Sequence, residues 1–180
     1  LIPFLEQDDE IERILGIDIS DPGYNSKKIK YVRRDVRDKN IFRDLKGYDA
    51  LIHLAFIVSP LKNVKEMYSI NIEGSKNIFN NAIKADISKI IHASSVAAYG
   101  SFEENPIPIT ENHPIRLMDK KYYYHETKYI VEKYLDKIEK KNPDVVITRM
   151  RPHIFFGPTI NNRMKDTFSG DKVISFFPNH

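Results

Sequence analysis

The sequence lacks cysteine altogether, has no membrane-length apolar run and shows no block of one charge sign. Without cysteine the chain can form neither disulfides nor cysteine-rich zinc sites, which favours a cytoplasmic location. The 28 basic and 25 acidic residues are interleaved and leave a net charge of +3. We therefore expect neither a nucleic-acid partner nor a membrane partner.

The length and hydrophobic content of the chain are sufficient for one hydrophobic core. The 180 residues are 41% hydrophobic, which indicates a single globular domain with little beyond it. Short apolar runs alternate along the chain with segments of helical periodicity, and no hairpin signature is seen, so the pattern predicts a parallel, doubly wound α/β sheet. The predicted strands cover residues 14–19, 29–32, 49–58, 89–94 and 144–150, and the predicted helices cover residues 1–7, 38–46, 64–84 and 122–141.

Polar side chains stand where several predicted strands end, which is where such sheets bind ligands. Asp18 closes the first strand and is suited to accept hydrogen bonds from the two ribose hydroxyls of adenosine, which favours NAD over its 2′-phosphorylated relative. The alternative is a solvated aspartate in the turn that follows. Asp35, after the next strand, could accept from the adenine amino group or cap a helix.

The last predicted helix carries a phenol and an ammonium on one side, because Tyr124 and Lys128 are four residues apart. A positive charge beside a phenol favours loss of the phenolic proton, as proton transfer near neutrality requires. Tyr-x-x-x-Lys alone is common by chance, and an ordinary helix surface is the alternative.

Seven segments in order make the pattern specific. They are GIDIS, RDVRD, LIHLAF, NIEGSKNIFNNA, SSVAAYG, YHETK and RPHIFFGP. Together they resemble the extended short-chain dehydrogenase/reductases, the group of nucleotide-sugar epimerases, dehydratases and reductases, over residues 1–158. The resemblance implies a Rossmann-type fold that binds NAD.

The resemblance also implies roles for single residues. Ser95 would hold the substrate oxygen, Tyr124 would act as acid and base, and Lys128 would tune Tyr124 while binding the nicotinamide ribose. The expected cofactor-binding residues are Asp18, Ile19, Asp35, Val36, Leu54, Ala55, Phe56, Asn71, Ser94, Tyr124, Lys128, Pro152, His153 and Ile154. The expected substrate-binding residues are Val58, Ser95, Val96 and Tyr124.

Four histidines could suggest a metal site: His53, His92, His125 and His153. Their spacing matches no defensible ligand set, so we expect packing roles and no metal. His153 is the histidine that the resemblance places near the nicotinamide.

Two departures from the family pattern concern the ends. The glycine-rich turn that binds the pyrophosphate is absent, and its usual distance from Asp18 places it, with the first strand, before Leu1. The sequence also lacks most of the C-terminal substrate region. We therefore expect residues 1–158 to form an incomplete NAD-binding domain and residues 159–180 to begin, or be a fragment of, the substrate-binding region.

The predicted function is an NAD-dependent epimerase or oxidoreductase of a nucleotide sugar, acting by transient hydride transfer. The sugar dehydratases carry Asp-Glu after the catalytic hydroxyl residue, whereas this chain has Val96 and Ala97, so dehydration is disfavoured. The alternatives are a reductase of a non-sugar carbonyl or alcohol and a non-catalytic dinucleotide sensor. The resemblance further implies a homodimer that pairs through the helices over residues 64–84 and 122–141.

Overall fold

The computed structural model of the protein describes residues 1–154, apart from residues 22, 60, 120 and 121. The predicted domain boundary after residue 158 and the segment 159–180 lie outside the described residues. The elements in chain order are α1 (Ile2–Glu6), β1 (Ile14–Asp18), β2 (Ile29–Arg33), α2 (Phe42–Leu45), β3 (Ala50–His53), α3 (Val64–Tyr68), a π-helical segment (Ser69–Gly74), α4 (Ser75–Lys84), β4 (Lys89–Ala93), a 3₁₀ turn (Val96–Tyr99), α5 (Tyr123–Lys141) and β5 (Val146–Met150).

All the strand pairings are parallel, which confirms the predicted parallel α/β architecture. β1 pairs with β2, and β3, β4 and β5 pair in that order. The five strands form two separate sheets rather than one continuous sheet, because no ladder joins β1 to β3 in the described part of the chain.

The core lies between the strands and the helices α2, α4 and α5. Its fully buried members include Ile41, Phe79, Ile90, Val131 and Leu135. Helical spacing places the apolar residues of α4 and α5 on one face each, and both faces pack on the inner side of the three-stranded sheet. On the outer side of β5, Val146 is 60% exposed and Met150 is 53% exposed.

Strand β3 is shorter than its apolar run predicts. The ladder to β4 ends at His53, and residues 54–58 leave the sheet as a loop. This part of the prediction was wrong because Ile57 hydrogen-bonds with the side chain of Asn71 through both its N–H and its carbonyl instead of with a strand.

The predicted helix over residues 64–84 exists but changes pitch in its middle. α3 passes into the π-helical segment Ser69–Gly74, which continues directly as α4. Asn71 lies within the π-helical segment, and such segments are frequent at functional sites. Helix α2 is likewise shorter than predicted, since only Phe42–Leu45 are α-helical.

In the described part of the chain, no helix has the length and apolarity needed to span a membrane. Nor do the described residues contain a group of three or more metal-binding side chains placed to hold an ion.

Candidate functional site

Lys128 is a buried cation at the carboxyl end of β4. Helix α5 brings it there on its core-facing side, where the residue is only 2% exposed. Its Nζ donates a hydrogen bond to the carbonyl of Ala93 at 2.5 Å and lies 3.5 Å from the centroid of the Phe56 ring. Burial lowers the pKa of Lys128 to about 8, against which the charge of Glu132 acts to raise it. The pKa of the Lys128 ammonium is therefore much closer to neutral pH than that of an exposed lysine.

Tyr124 lies one helical turn before Lys128, as the spacing predicts. The centroid of its ring is 5.6 Å from the Lys128 ammonium, and the ring stands perpendicular to that of Phe56 at 5.9 Å. Within α5 the Thr127 hydroxyl donates to the Tyr124 carbonyl at 3.0 Å. The phenol and the ammonium thus occupy one corner of the molecule, with an aromatic ring against both.

Ser95 begins the 3₁₀ turn that follows β4. Its backbone is extended, and its Oγ accepts a hydrogen bond from the Ala97 N–H at 3.2 Å, so the side chain caps the turn. Helix α5 packs against this turn, which brings Ser95 to the same end of the sheet as Tyr124 and Lys128. The Val96 N–H donates to the Pro152 carbonyl at 3.2 Å and ties the turn to the loop after β5.

A chain of buried hydrogen bonds fixes the loop after β3. Asn71 is fully buried, and its amide accepts from the Ile57 N–H at 2.7 Å and donates to the Ile57 carbonyl at 3.0 Å. The Ser75 hydroxyl donates to the Asn71 carbonyl at 2.6 Å and contacts the His53 ring nitrogen at 2.8 Å. The loop is therefore held at its start by His53 and near its end by Ile57.

A second buried network joins four elements around the site. Arg151 forms a forked ion pair with Glu132: Nε lies 2.9 and 3.1 Å from the two carboxylate oxygens, and Nη2 lies 2.5 Å from Oε2. Arg151 Nη1 also donates to the Tyr99 hydroxyl at 2.8 Å, and the Ser94 hydroxyl donates to Glu132. The Ser94 side chain is thus engaged within the protein, at the end of β4 beside Ser95.

At the other end of the expected cofactor site, Asp18 stands exposed where β1 ends. Its Oδ1 accepts from the Ser20 N–H and hydroxyl at 2.9 and 3.0 Å, and the neighbouring Ile19 is exposed. Asp35 is instead engaged by Arg37, whose Nη2 lies 2.6 Å from Oδ2 and whose hydrogen bond is the main reason that the pKa of Asp35 is lowered. Val36 packs closely against Gly74 of the π-helical segment.

The remaining predicted residues lie along the loops at the carboxyl ends of the strands. Those that are exposed are Leu54, Val58, Pro152, His153 and Ile154, and those that are half-buried are Ala55, Phe56 and Val96. The loop after β5 is described only as far as Ile154, so the rest of the RPHIFFGP segment lies outside the described residues.

Two of the four histidines are buried side by side under the site. The rings of His53 and His92 stack at 5.6 Å, and Phe79 meets both edge-on. Burial is the main cause that lowers the pKa of His53 to about 4 and that of His92 to about 2. Both rings are therefore neutral near pH 7.

The ion pair between Glu132 and Arg151 was not predicted from the sequence. A signal was present, because Glu132 follows Lys128 by four residues on the apolar face of α5, where a lone carboxylate needs a partner. The partner could not be identified from sequence, since Arg151 comes from a different element.

The comparisons with known proteins agree with this architecture. Residues 1–177 match the model of the NAD dependent epimerase/dehydratase family. A solved UDP-N-acetylglucosamine 4-epimerase from Methanobrevibacter ruminantium superposes with a TM-score of 0.68 at 22% identity, covering 84% of this chain and 51% of that one. A UDP-glucose 4-epimerase from Bifidobacterium longum, solved with NAD⁺ and UDP, superposes with a TM-score of 0.65 at 23% identity over 82% and 48% of the two chains.

Relatives found by sequence include a sugar epimerase and a steroid dehydrogenase. An N-acetyl-alpha-D-glucosaminyl-diphospho-ditrans,octacis-undecaprenol 4-epimerase from Escherichia coli O157:H7 is 33% identical over 129 residues, or 68% of this chain and 36% of the relative. A 3beta-hydroxysteroid-dehydrogenase/decarboxylase isoform 2 from Arabidopsis thaliana is 26% identical over 146 residues, or 79% of this chain and 25% of the relative. The chain thus spans about half of the two solved structures and a quarter to a third of these relatives. With its parallel strands, its site at their carboxyl ends and a family match over nearly its whole length, the chain belongs to the NAD dependent epimerase/dehydratase family.

Proposed function

We propose that the full protein is an NAD-dependent epimerase or oxidoreductase of a nucleotide sugar, with Ser95, Tyr124 and Lys128 as its catalytic residues. The observation that carries the proposal is the placement of a phenol beside a buried ammonium, at the strand end where Ser95 also lies. Burying the Lys128 ammonium costs free energy. A buried lysine whose pKa is lowered toward neutral pH at the end of a strand is typical of a catalytic site.

The described residues fit NAD at the adenosine end. The Asp18 carboxylate is exposed, and the hydrogen bonds that it accepts from described residues all reach Oδ1, so Oδ2 can accept from a ribose hydroxyl. A carboxylate there would repel a 2′-phosphate, which favours NAD over NADP. The other proposed contacts come from the loop 54–56, from Lys128 and from residues 152–154. NAD, when bound, supplies the nicotinamide ring that takes up and returns a hydride.

The chain's own residues account for the proton and for the position of the substrate oxygen. Tyr124 takes the hydroxyl proton of the sugar as its carbon is oxidised and returns the proton when the carbonyl is reduced. The Lys128 ammonium stabilises the phenolate form of Tyr124 electrostatically. The Ser95 hydroxyl donates a hydrogen bond to the reacting oxygen. Val96 and Ala97 hold no transferable proton where a sugar dehydratase has its Asp-Glu pair, which supports epimerisation or simple oxidation over dehydration.

A second candidate function is the oxidation of a steroid-like alcohol, which the 3beta-hydroxysteroid dehydrogenase relative favours. The same three residues would serve that reaction. The substrate pockets would differ, since a nucleoside diphosphate needs polar and basic contacts and a sterol needs an apolar slot. We propose that these contacts come from a region that begins at residue 159, beyond an NAD-binding domain over residues 1–158. Homodimerisation through α3, α4 and α5 stays a prediction.

The test uses the full-length protein. Calorimetry with NAD and NADP should show tighter binding of NAD. Turnover is then screened with UDP-, dTDP- and GDP-sugars and with a 3β-hydroxysteroid, and products are separated by chromatography. An epimerase yields the epimer without net accumulation of NADH, whereas a dehydrogenase yields NADH in step with product.

Tyr124→Phe should lower kcat by about 10²–10⁴-fold, because it removes the proton-transfer group and little else. Tyr129→Phe makes the same chemical change five residues further along α5, on a different side of the helix, and serves as the control. Equal activity in both variants would contradict the catalytic role of Tyr124. Binding of neither dinucleotide would contradict the proposal as a whole.

A further inference from the structure

Phe56 contacts both members of the proposed phenol–ammonium pair. Its ring centroid is 3.5 Å from the Lys128 Nζ, which is closer than the Tyr124 ring at 5.6 Å. The same ring stands perpendicular to that of Tyr124, with 5.9 Å between the centroids. At 3.5 Å the ammonium lies well inside the range in which a cation interacts with the electron-rich face of an aromatic ring.

The protein holds this ring in place through its backbone. Phe56 precedes Ile57, whose N–H and carbonyl are both bonded to the fully buried Asn71 amide at 2.7 and 3.0 Å. On the other side of the loop, His53 ends β3 and contacts Ser75, which donates to the Asn71 carbonyl. A loop fixed at both ends presents its side chains in defined positions. The backbone of this loop therefore keeps the Phe56 ring against Lys128.

The surroundings of Lys128 show why such a contact matters. The ammonium has lost nearly all its water, and among the described residues it donates a hydrogen bond only to the Ala93 carbonyl. The charge of Glu132 favours the ammonium, while His53 and His92, on β3 and β4, are neutral near pH 7 and do not support it. Tyr124 supports the ammonium by charge only after it has lost its proton. A ring face supplies favourable electrostatics without a proton that could exchange.

We propose that Phe56 is a positioning residue, whose ring face keeps the Lys128 ammonium charged and holds it beside Tyr124. The inference rests on the proposed function in so far as Tyr124 and Lys128 act in catalysis. It extends that function, because it assigns control of the charge on Lys128 to a residue that is not one of the three proposed catalytic residues and lies far from Lys128 in sequence.

The test compares Phe56→Leu, which removes the ring face and keeps an apolar side chain, with Phe56→Tyr, which keeps the ring. Phe56→Met is a second ring-free variant in case the leucine disturbs the fold. Phe42→Leu is the matched control, because Phe42 also faces a lysine ammonium, that of Lys46 at 5.1 Å, away from the site. Circular dichroism and thermal unfolding establish that each variant is folded.

The readout is the titration of Lys128 itself, followed by NMR of the full-length protein labelled at the lysine side-chain carbon and nitrogen, with the signal assigned through Lys128→Arg. The ring-free variants should lower the pKa of Lys128 by about 0.5 to 1.5 units, and Phe56→Tyr and Phe42→Leu should leave it in place. An unchanged or raised pKa of Lys128 in the folded ring-free variants would overturn the inference.

Kinetics separates positioning from a merely structural role. If the unaltered protein turns over a substrate, the alkaline limb of its kcat profile should move to lower pH in Phe56→Leu by the same number of units, with KM little changed. A loss of activity that is equal at every pH would overturn the positioning role. Absence of turnover in the unaltered protein counts against the proposed function, whereas the Lys128 titration still decides the charge contact.

Discussion

The ion pair between Glu132 and Arg151 offers the sharpest test of how the site is held together. The Glu132 side chain is 1% exposed and that of Arg151 is 20% exposed. Both carboxylate oxygens act as acceptors: Oε1 receives the Ser94 hydroxyl and Arg151 Nε, and Oε2 receives Nε and Nη2 of Arg151. Glu132→Gln therefore leaves no orientation for the new amide NH₂ that avoids pointing a donor at a donor.

We expect Glu132→Gln to lower the free energy of unfolding by about 3 kcal/mol, because it leaves the largely buried Arg151 guanidinium without its counter-ion. Urea unfolding followed by circular dichroism measures this value, provided that the dependence on urea is unchanged. Glu73→Gln is the matched control, since Glu73 pairs with Lys76 on the surface with 64% of its side chain exposed. That change should cost less than about 1 kcal/mol.

The double variant Glu132→Met/Arg151→Met completes the experiment. Removing both charges leaves neither one uncompensated. The double variant should therefore lose less stability than Glu132→Met and Arg151→Met lose in sum. Additive losses would refute the argument, and so would a Glu132→Gln protein within 1 kcal/mol of the unaltered one.

Two further predictions follow from buried groups. The pKa values of His53 and His92 in the folded protein lie below the ordinary 6.5, so the unfolded chain binds more protons than the folded chain does. Each of the two histidines should therefore lower the free energy of unfolding by about 2 kcal/mol as the pH falls from 6.5 to 5. Urea unfolding at both pH values should show this loss, and His92→Gln should reduce it; equal stability at both would contradict the neutral pair. Gly74→Ala should destabilise by about 1 to 3 kcal/mol, since its Cβ would lie 2.4 Å from Val36 Cγ2, and an unchanged or raised Tm would contradict that packing.

Much of the fold could be predicted from local sequence. Apolar runs indicated all five strands, and helical periodicity indicated α5 and the helix that contains Asn71, because both signals come from residues close together in the chain. The parallel arrangement followed from the alternation of strands and helices. The motif order around Tyr124 and Lys128 indicated the family, and the match over residues 1–177 confirmed it.

The predictions that failed were those that depended on a choice between partners. Residues 54–58 are apolar enough for a strand. The Asn71 side chain instead hydrogen-bonds with the backbone of Ile57, and β3 ends at His53. Periodicity also could not show that the helix around Asn71 widens into a π-helical segment, because an apolar pattern does not distinguish the two kinds of helix at this length.

The sequence by itself thus determined which elements form, their order and the family, because hydrophobic period and motif spacing are local properties. Only the tertiary structure decided that Phe56 faces the Lys128 ammonium and that Arg151 neutralises Glu132. These pairs join residues far apart in the chain. Their energies depend on burial, which exists only once the helices and strands have packed together.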